Sequence, residues 1–252
     1  MADSTLGDRS ALPPPDEAHL WCLDPGLFDG AAATRSWLER LPADERARFE
    51  AYRTPSARSQ YLATRALVRT ALSSHCGIAV EDLRFSAGPT GRPELTLPAV
   101  PTLRFSLSNT RGLVVGLVAC AREVGVDVEE MTPIDVFEIA DRFFAPAESE
   151  ELRGLAEDQR TRRFFELWTL KEAYLKARGL AVFALPLAQI AFPRAPKGAL
   201  SPLFGPEIAD DPRSWRFDLP RLSATHAVAT CVERGGRESR VVVRRLDAED
   251  IL

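Results

Sequence analysis

The 252-residue chain has few of the residues that build most metal and nucleophile sites: three histidines and four cysteines, all scattered. Cys22, Cys76, Cys120 and Cys231 form no Cys-x-x-Cys pair, and His19, His75 and His226 share no ligand spacing, which argues against zinc. The cysteines read as buried free thiols of a reducing compartment. There is no Walker GxxxxGK[ST] loop and no Rossmann GxGxxG turn, so a nucleotide, if bound, is not cradled in either way. No Ser/His/Asp or Cys/His set is indicated by spacing. No apolar run approaches the roughly 20 residues that span a bilayer. The opening MADSTLGDRSALPPPDEA lacks the apolar core of a signal peptide. It reads as a disordered leader over 1–17, and a cytoplasmic location is expected. Neither sign of charge dominates: a net charge of -4 and a pI near 5.6 exclude a general nucleic-acid or polyanion binder.

What is present is enough apolar residue, 45%, to build a substantial core. The pattern predicts a short strand at HLWCLDP and a helical region beginning at Trp37–Leu41. Helices follow at ADERARFEAY and SARSQYLATRALVRTALSSHC, the second stopped by Gly77. DLRFSAGPTGRPEL reads as a strand with a Gly/Pro turn. Then come TLRFSLS, with Leu103, Phe105 and Leu107 on one face and Arg104, Ser106 and Ser108 on the other; LVVGLVACA, apolar on both faces; and VDVEE. The remainder is helical at PIDVFEIADRFF, PAESEELRGLAED and QRTRRFFELWTLKEAYLKAR, passes through a Pro/Gly-rich loop over 193–212, and ends in the strands THAVATCVE and SRVVVRRL, joined by RGGRE. This order suggests an α+β fold of two related halves, 18–123 and 124–252.

GVDVEE carries the first chemical signal. Val126 and Val128 share one strand face, Asp127 and Glu129 the other. Acids are poor strand residues, and two on one face repel. Either the face is solvated or something positive sits between them. The helix at Phe164 carries the second signal. At about 100° per residue, Lys171 and Glu172 fall inside the apolar arc that holds Phe165, Trp168 and Leu175. Charges are seldom buried there unless paired or metal-bound. The plainer alternative is an exposed rim with a Glu172–Lys176 bridge. Taken together, Asp127, Glu129 and Glu172 would offer hard oxygen ligands suited to Mg2+. Lys176, one turn on, could balance a phosphate. Arg92, in the turn of GPTGRPEL, and Arg65, on the long N-terminal helix, are further candidate phosphate partners.

These residues resemble the paired signatures of the Sfp-like 4′-phosphopantetheinyl transferases, G-[IV]-D-[VI]-E and F-x-x-x-W-x-x-K-E-[AS]-x-x-K. Here the second comprises Phe164, Trp168, Lys171, Glu172, Ala173 and Lys176. GRPEL and FSLSNT resemble two further elements of that family, and the likeness extends from Tyr61 to Pro186. It implies a pseudosymmetric pair of α/β halves, each a small antiparallel sheet packed with helices, with coenzyme A and Mg2+ in the cleft between them. It also implies transfer of phosphopantetheine to a serine of an apo acyl, aryl or peptidyl carrier protein, by a monomer that binds neither nucleic acid nor membrane. Asp127, Glu129 and Glu172 carry over as metal ligands, Glu172 also as base and Lys176 as transition-state partner. Arg65, Arg92, Ser108, Asn109 and Lys176 carry over as coenzyme contacts. Two positions depart from the family: Asn109 replaces its histidine and cannot take up a proton near neutrality, and Ala181 stands where a second glycine is usual. The alternatives are a Mg2+-dependent nucleotide pyrophosphate hydrolase and a non-catalytic coenzyme- or carrier-binding module.

Overall fold

The computed structural model describes residues 12–88, 91–181, 183–194, 200–236 and 239–251. Most of the leader expected over 1–17 lies outside the described residues, as do parts of the turns at GPTGRPEL and RGGRE. In chain order the elements are β1 (Glu17–Leu23), α1 (Ala31–Arg40), α2 (Ala43–Ala51), α3 (Pro55–Cys76), β2 (Arg84–Ala87), β3 (Pro93–Leu97), β4 (Leu103–Thr110), β5 (Leu113–Cys120) and β6 (Val124–Glu130). There follow α4 (Val136–Phe143), α5 (Pro146–Arg153), α6 (Glu157–Ala177), β7 (Ile190–Ala191), β8 (Leu203–Phe204), β9 (Trp215–Asp218), β10 (His226–Glu233), β11 (Arg240–Arg245) and α7 (Ala248–Ile251).

The two long helices obey local rules. Thr54 caps α3 by accepting the Ala57 N–H, Pro55 occupies its first turn, and Gly77 ends it at φ 65°. Gly179, at φ +64°, follows the end of α6 in the same conformation. The first helix lies earlier than the Trp37–Leu41 expectation. It spans Ala31–Arg40 and stops at Leu41, whose backbone is already extended. Trp37 is its buried anchor, and its indole N–H donates to the Ile251 carbonyl near the C-terminus.

Alternation along the strands sorts side chains into layers. The first sheet has the order β11-β1-β5-β4 and the second β6-β10-β9. Trp21, Leu23, Val114 and Val118 face α3, whereas Ala18, Leu20, Val115 and Leu117 turn the other way. There they meet Val124, Val126, Val128 and Val228 of the second sheet. The opposite face of that sheet, with Ala227, Ala229 and Cys231, packs on α6. The layers therefore run α3, first sheet, second sheet, α6. The α+β expectation, two helix-covered sheets, is met. One pairing departs from antiparallel: β11 runs parallel to β1, Glu17 opposite Arg240, so the last strand returns to the first sheet rather than forming a hairpin with β10. The Arg240–Glu17 ion pair marks this join. The sequence reading also missed β9, whose Trp215 and Phe217 are buried against α6.

Helix α6 lies directly on β6. A Cβ on Gly125 would stand 1.9 Å from the Ala173 carbonyl oxygen and 2.5 Å from the Ala177 amide nitrogen. No side chain fits there, and neither neighbouring atom belongs to a flexible group. We expect Gly125→Val to push α6 off the strand and to cost about 3 kcal/mol or more of stability, read from urea melts. A wild-type midpoint would contradict the close packing.

Candidate active site

Gly125, Asp127 and Glu129 share the α6-facing side of β6, so the contact at Gly125 sets what faces the acids. Glu172 and Lys176 come from the helix above, one residue before and three after Ala173. Asp127 and Glu172 are 4% and 5% exposed. The solvated-rim alternative is thereby excluded for both, and Lys176 bonds to Asp127 Oδ1 at 2.7 Å instead of bridging to Glu172. Ser108 of β4 joins the same knot. Its hydroxyl donates to Asp127 Oδ1 at 2.8 Å and accepts from Lys176 Nζ at 2.9 Å. Its neighbour Ser106 accepts the Val126 N–H at 3.2 Å, which holds β4 alongside β6 across the junction of the sheets.

The charge balance is uneven, with three carboxylates facing one lysine. Burial, then the charge of Asp127, pushes Glu129 up to about 7, opposed by Lys176 and a hydrogen bond from Thr110. Burial, then Asp127, pushes Glu172 to about 7 as well, opposed by Lys176, while the charge of Glu129 adds to the shift. Asp127 Oδ2 and Glu172 Oε1 are buried with no hydrogen-bond partner. Two unpartnered anionic oxygens in a cluster with excess negative charge fit a hard dication. Among the described residues, no group of three His, Cys, Asp or Glu side chains is already gathered into a metal-holding arrangement. Among the described residues, the cation paired with this cluster is Lys176, which contacts Asp127 Oδ1.

The other expected site residues are placed as follows. Arg92 is turned inward. Its guanidinium donates to the carbonyls of Phe105, Lys176 (3.1 Å) and Val124 (3.3 Å), tying β4, β6 and the end of α6 together. Arg65 is bidentate to the buried Glu45 (3.0 and 2.6 Å), which Arg69 shares at 2.9 Å. Asn109 lies on the opposite face of β4 from Ser108, and its side-chain carbonyl accepts from Gln60 of α3 at 2.6 Å. Gln60 lines a cavity of about 760 Å³, with Asp29, Arg58, Ser59 and Arg111. Arg111 reaches from that cavity to Glu130, next to Glu129, at 2.7 Å. Glu45, Gln60 and Arg111 were not singled out from the sequence, because single polar residues on a helix or turn carry no periodic signal.

The pattern of these residues has known counterparts. The sequence model of the 4′-phosphopantetheinyl transferase superfamily matches residues 123–231. The 4′-phosphopantetheinyl transferase HetI of Nostoc sp. is 34% identical over 178 residues, 70% of this chain and 74% of that protein. The chain belongs to this family. The phosphopantetheinyl transferase of Thraustochytrium sp. is 30% identical over 92% of this chain and 86% of its own length. Sfp of Bacillus subtilis is 34% identical over 124 residues, and this transferase spans about half of it, 52%. Among solved structures, a holo-(acyl-carrier-protein) synthase from Bacillus anthracis in complex with CoA aligns with 44% of this transferase and 94% of its own chain, at 21% identity and a TM-score of 0.37. No described helix of the transferase is long and apolar enough to cross a membrane.

The two raised carboxyls give a pH dependence. In the unfolded chain they titrate near 4.5, so the folded protein binds the extra protons between about 4.5 and 7. Their contribution to stability therefore falls as pH rises through that window and levels off above it. In chelator, the melting temperature of the wild type should drop more from pH 5 to 8 than that of Glu129→Gln/Glu172→Gln. Equal drops would refute the crowding.

Proposed function

We propose that this transferase moves the 4′-phosphopantetheine arm of coenzyme A to a serine hydroxyl of an apo carrier protein, leaving adenosine 3′,5′-bisphosphate, with Mg2+ as cofactor. The observation that supports the reading most is the knot itself: a buried glutamate with an unpartnered oxygen, beside an aspartate already engaged by Lys176 and Ser108. Asp127, Glu129 and Glu172 would hold the cation, which when bound neutralises charge on the coenzyme's pyrophosphate.

The side chains divide the remaining work. Glu172, whose carboxyl titrates near 7, is suited to accept the proton of the incoming serine hydroxyl at neutral pH. Lys176 places its ammonium at the half-buried edge of the cluster, where it can follow charge that builds on the phosphoryl oxygens. The Ser108 hydroxyl can rotate from Asp127 to donate to a phosphate oxygen. Asn109 can donate through its amide but takes up no proton, which leaves the base role to Glu172. Arg92 contributes by fixing β4 and β6 against α6, since its N–H groups are spent on carbonyls. Arg65, bound to Glu45, can contribute to a phosphate only by sharing itself with that carboxylate. We place the coenzyme between the two halves, in the space bordered by Ser108, Lys176 and the cavity lined by Gln60 and Arg111.

Incubation with coenzyme A, magnesium and an apo carrier protein should add the mass of one phosphopantetheine to the carrier. Glu172→Gln should slow that transfer by about 10²- to 10⁴-fold. Release of AMP or phosphate from coenzyme A with no carrier present would favour a hydrolase instead, and coenzyme binding without transfer to any carrier would favour a binding module.

A further inference from the structure

Helix α6 buries a second charge on the side away from the acids. Lys171 is 0% exposed and Glu148 of α5 is 2% exposed, and their charged atoms lie 2.8 Å apart. Each ammonium proton has an acceptor: Glu148, the Leu187 carbonyl at 3.0 Å and the Ile190 carbonyl. Glu148 is used just as fully. One oxygen also accepts the Ala145 N–H at 3.0 Å, and the other accepts the Phe192 N–H at 2.8 Å. The Phe144 ring lies under the ammonium, 5.1 Å to its centroid. Lys171 thus has no proton left for a ligand, although it adjoins Glu172 in sequence.

A buried ion pair is a weak source of stability, because desolvation offsets the attraction; what it supplies is a fixed geometry. This one joins the first turn of α5, the middle of α6 and the Leu187–Phe192 segment. On a helical wheel Lys171 lies about 160° from Ala173, the residue pressed on Gly125, with Glu172 between them at about 100°. The helix is therefore held in front by a backbone contact and behind by Lys171–Glu148. We propose that the Lys171–Glu148 pair is a positioning device: by clamping Leu187–Phe192 to the back of α6, it sets the rotation at which Glu172 and Lys176 meet Asp127. This rests on the transferase reading above.

The variant Lys171→Met/Glu148→Gln removes both buried charges, keeps a carbonyl oxygen for the Phe192 N–H and leaves Asp127, Glu172 and Lys176 in place. With coenzyme A, magnesium and an apo carrier protein, the folded variant should lose about a hundredfold in kcat, the scale of a small misplacement. The KM for coenzyme A should stay within about threefold. Wild-type kcat, or a loss carried by KM alone, would overturn the proposal. Wild-type protein runs beside it, so absence of all transfer is read as failure of the transferase reading and not of the clamp. Hydrogen exchange on the unaltered protein tests the clamp without any variant. The Phe192 amide should exchange as slowly as the interior of α6, and exchange at the rate of exposed loops would overturn it.

Discussion

A helix can lie on a strand at backbone distance only where the strand carries no side chain, and the chemistry of this molecule depends on one such place. At Gly125 the Ala173 carbonyl occupies the space a Cβ would need. That contact brings α6 down over β6, with Asp127 and Glu129 on the same strand face and Glu172 and Lys176 on the helix above. A longer separation would let water between the layers, and Glu129 and Glu172 would lose the burial that raises them. The valines on the other face serve the same end. Val124, Val126 and Val128 are sealed against the first sheet, so the strand cannot roll to turn its acids outward.

Crowding follows from packing. Burial, then the charge of Asp127, raises Glu129 and Glu172 to about 7, while Lys176 and Ser108 satisfy a single oxygen of Asp127. The result is a cluster poised between two charge states near neutrality, which is the condition under which a carboxylate both binds a cation and exchanges protons. Around it the structure spends several other cations on scaffolding. Arg92 is held by three carbonyls, Arg69 by Glu45, and Lys171 by Glu148 and two carbonyls. Each closes a junction between elements that the hydrophobic layers alone leave free to slide.

The division between what the sequence reveals and what it hides is a division between local and distant partners. The strand alternation of VDVEE and the helical phase of FFELWTLKEAYLK are periodic, so the faces of Asp127, Glu129 and Glu172 were legible, as was the family likeness they carry. The wheel also located Lys171 inside the apolar arc, but its partner sits on another helix with no periodic relation to it. The return of β11 to β1 was hidden for the same reason: RVVVRR reads as a strand equally well beside β10 or elsewhere. Arg92 reads as a surface arginine beside a Gly/Pro turn, and only the fold shows that its guanidinium is aimed at the carbonyls of Phe105, Lys176 and Val124.

If the carboxylates form one site for a dication, its arrival must expel the protons that crowding retains. Calorimetric titration of Mg2+ into the metal-free protein, repeated at pH 7 in buffers of different ionisation enthalpy, counts those protons directly. We predict binding with net proton release at pH 7 that fades by pH 8.5 and is lost in Glu129→Gln/Glu172→Gln. Binding with no proton release at pH 7, or undiminished binding by that variant, would contradict the account.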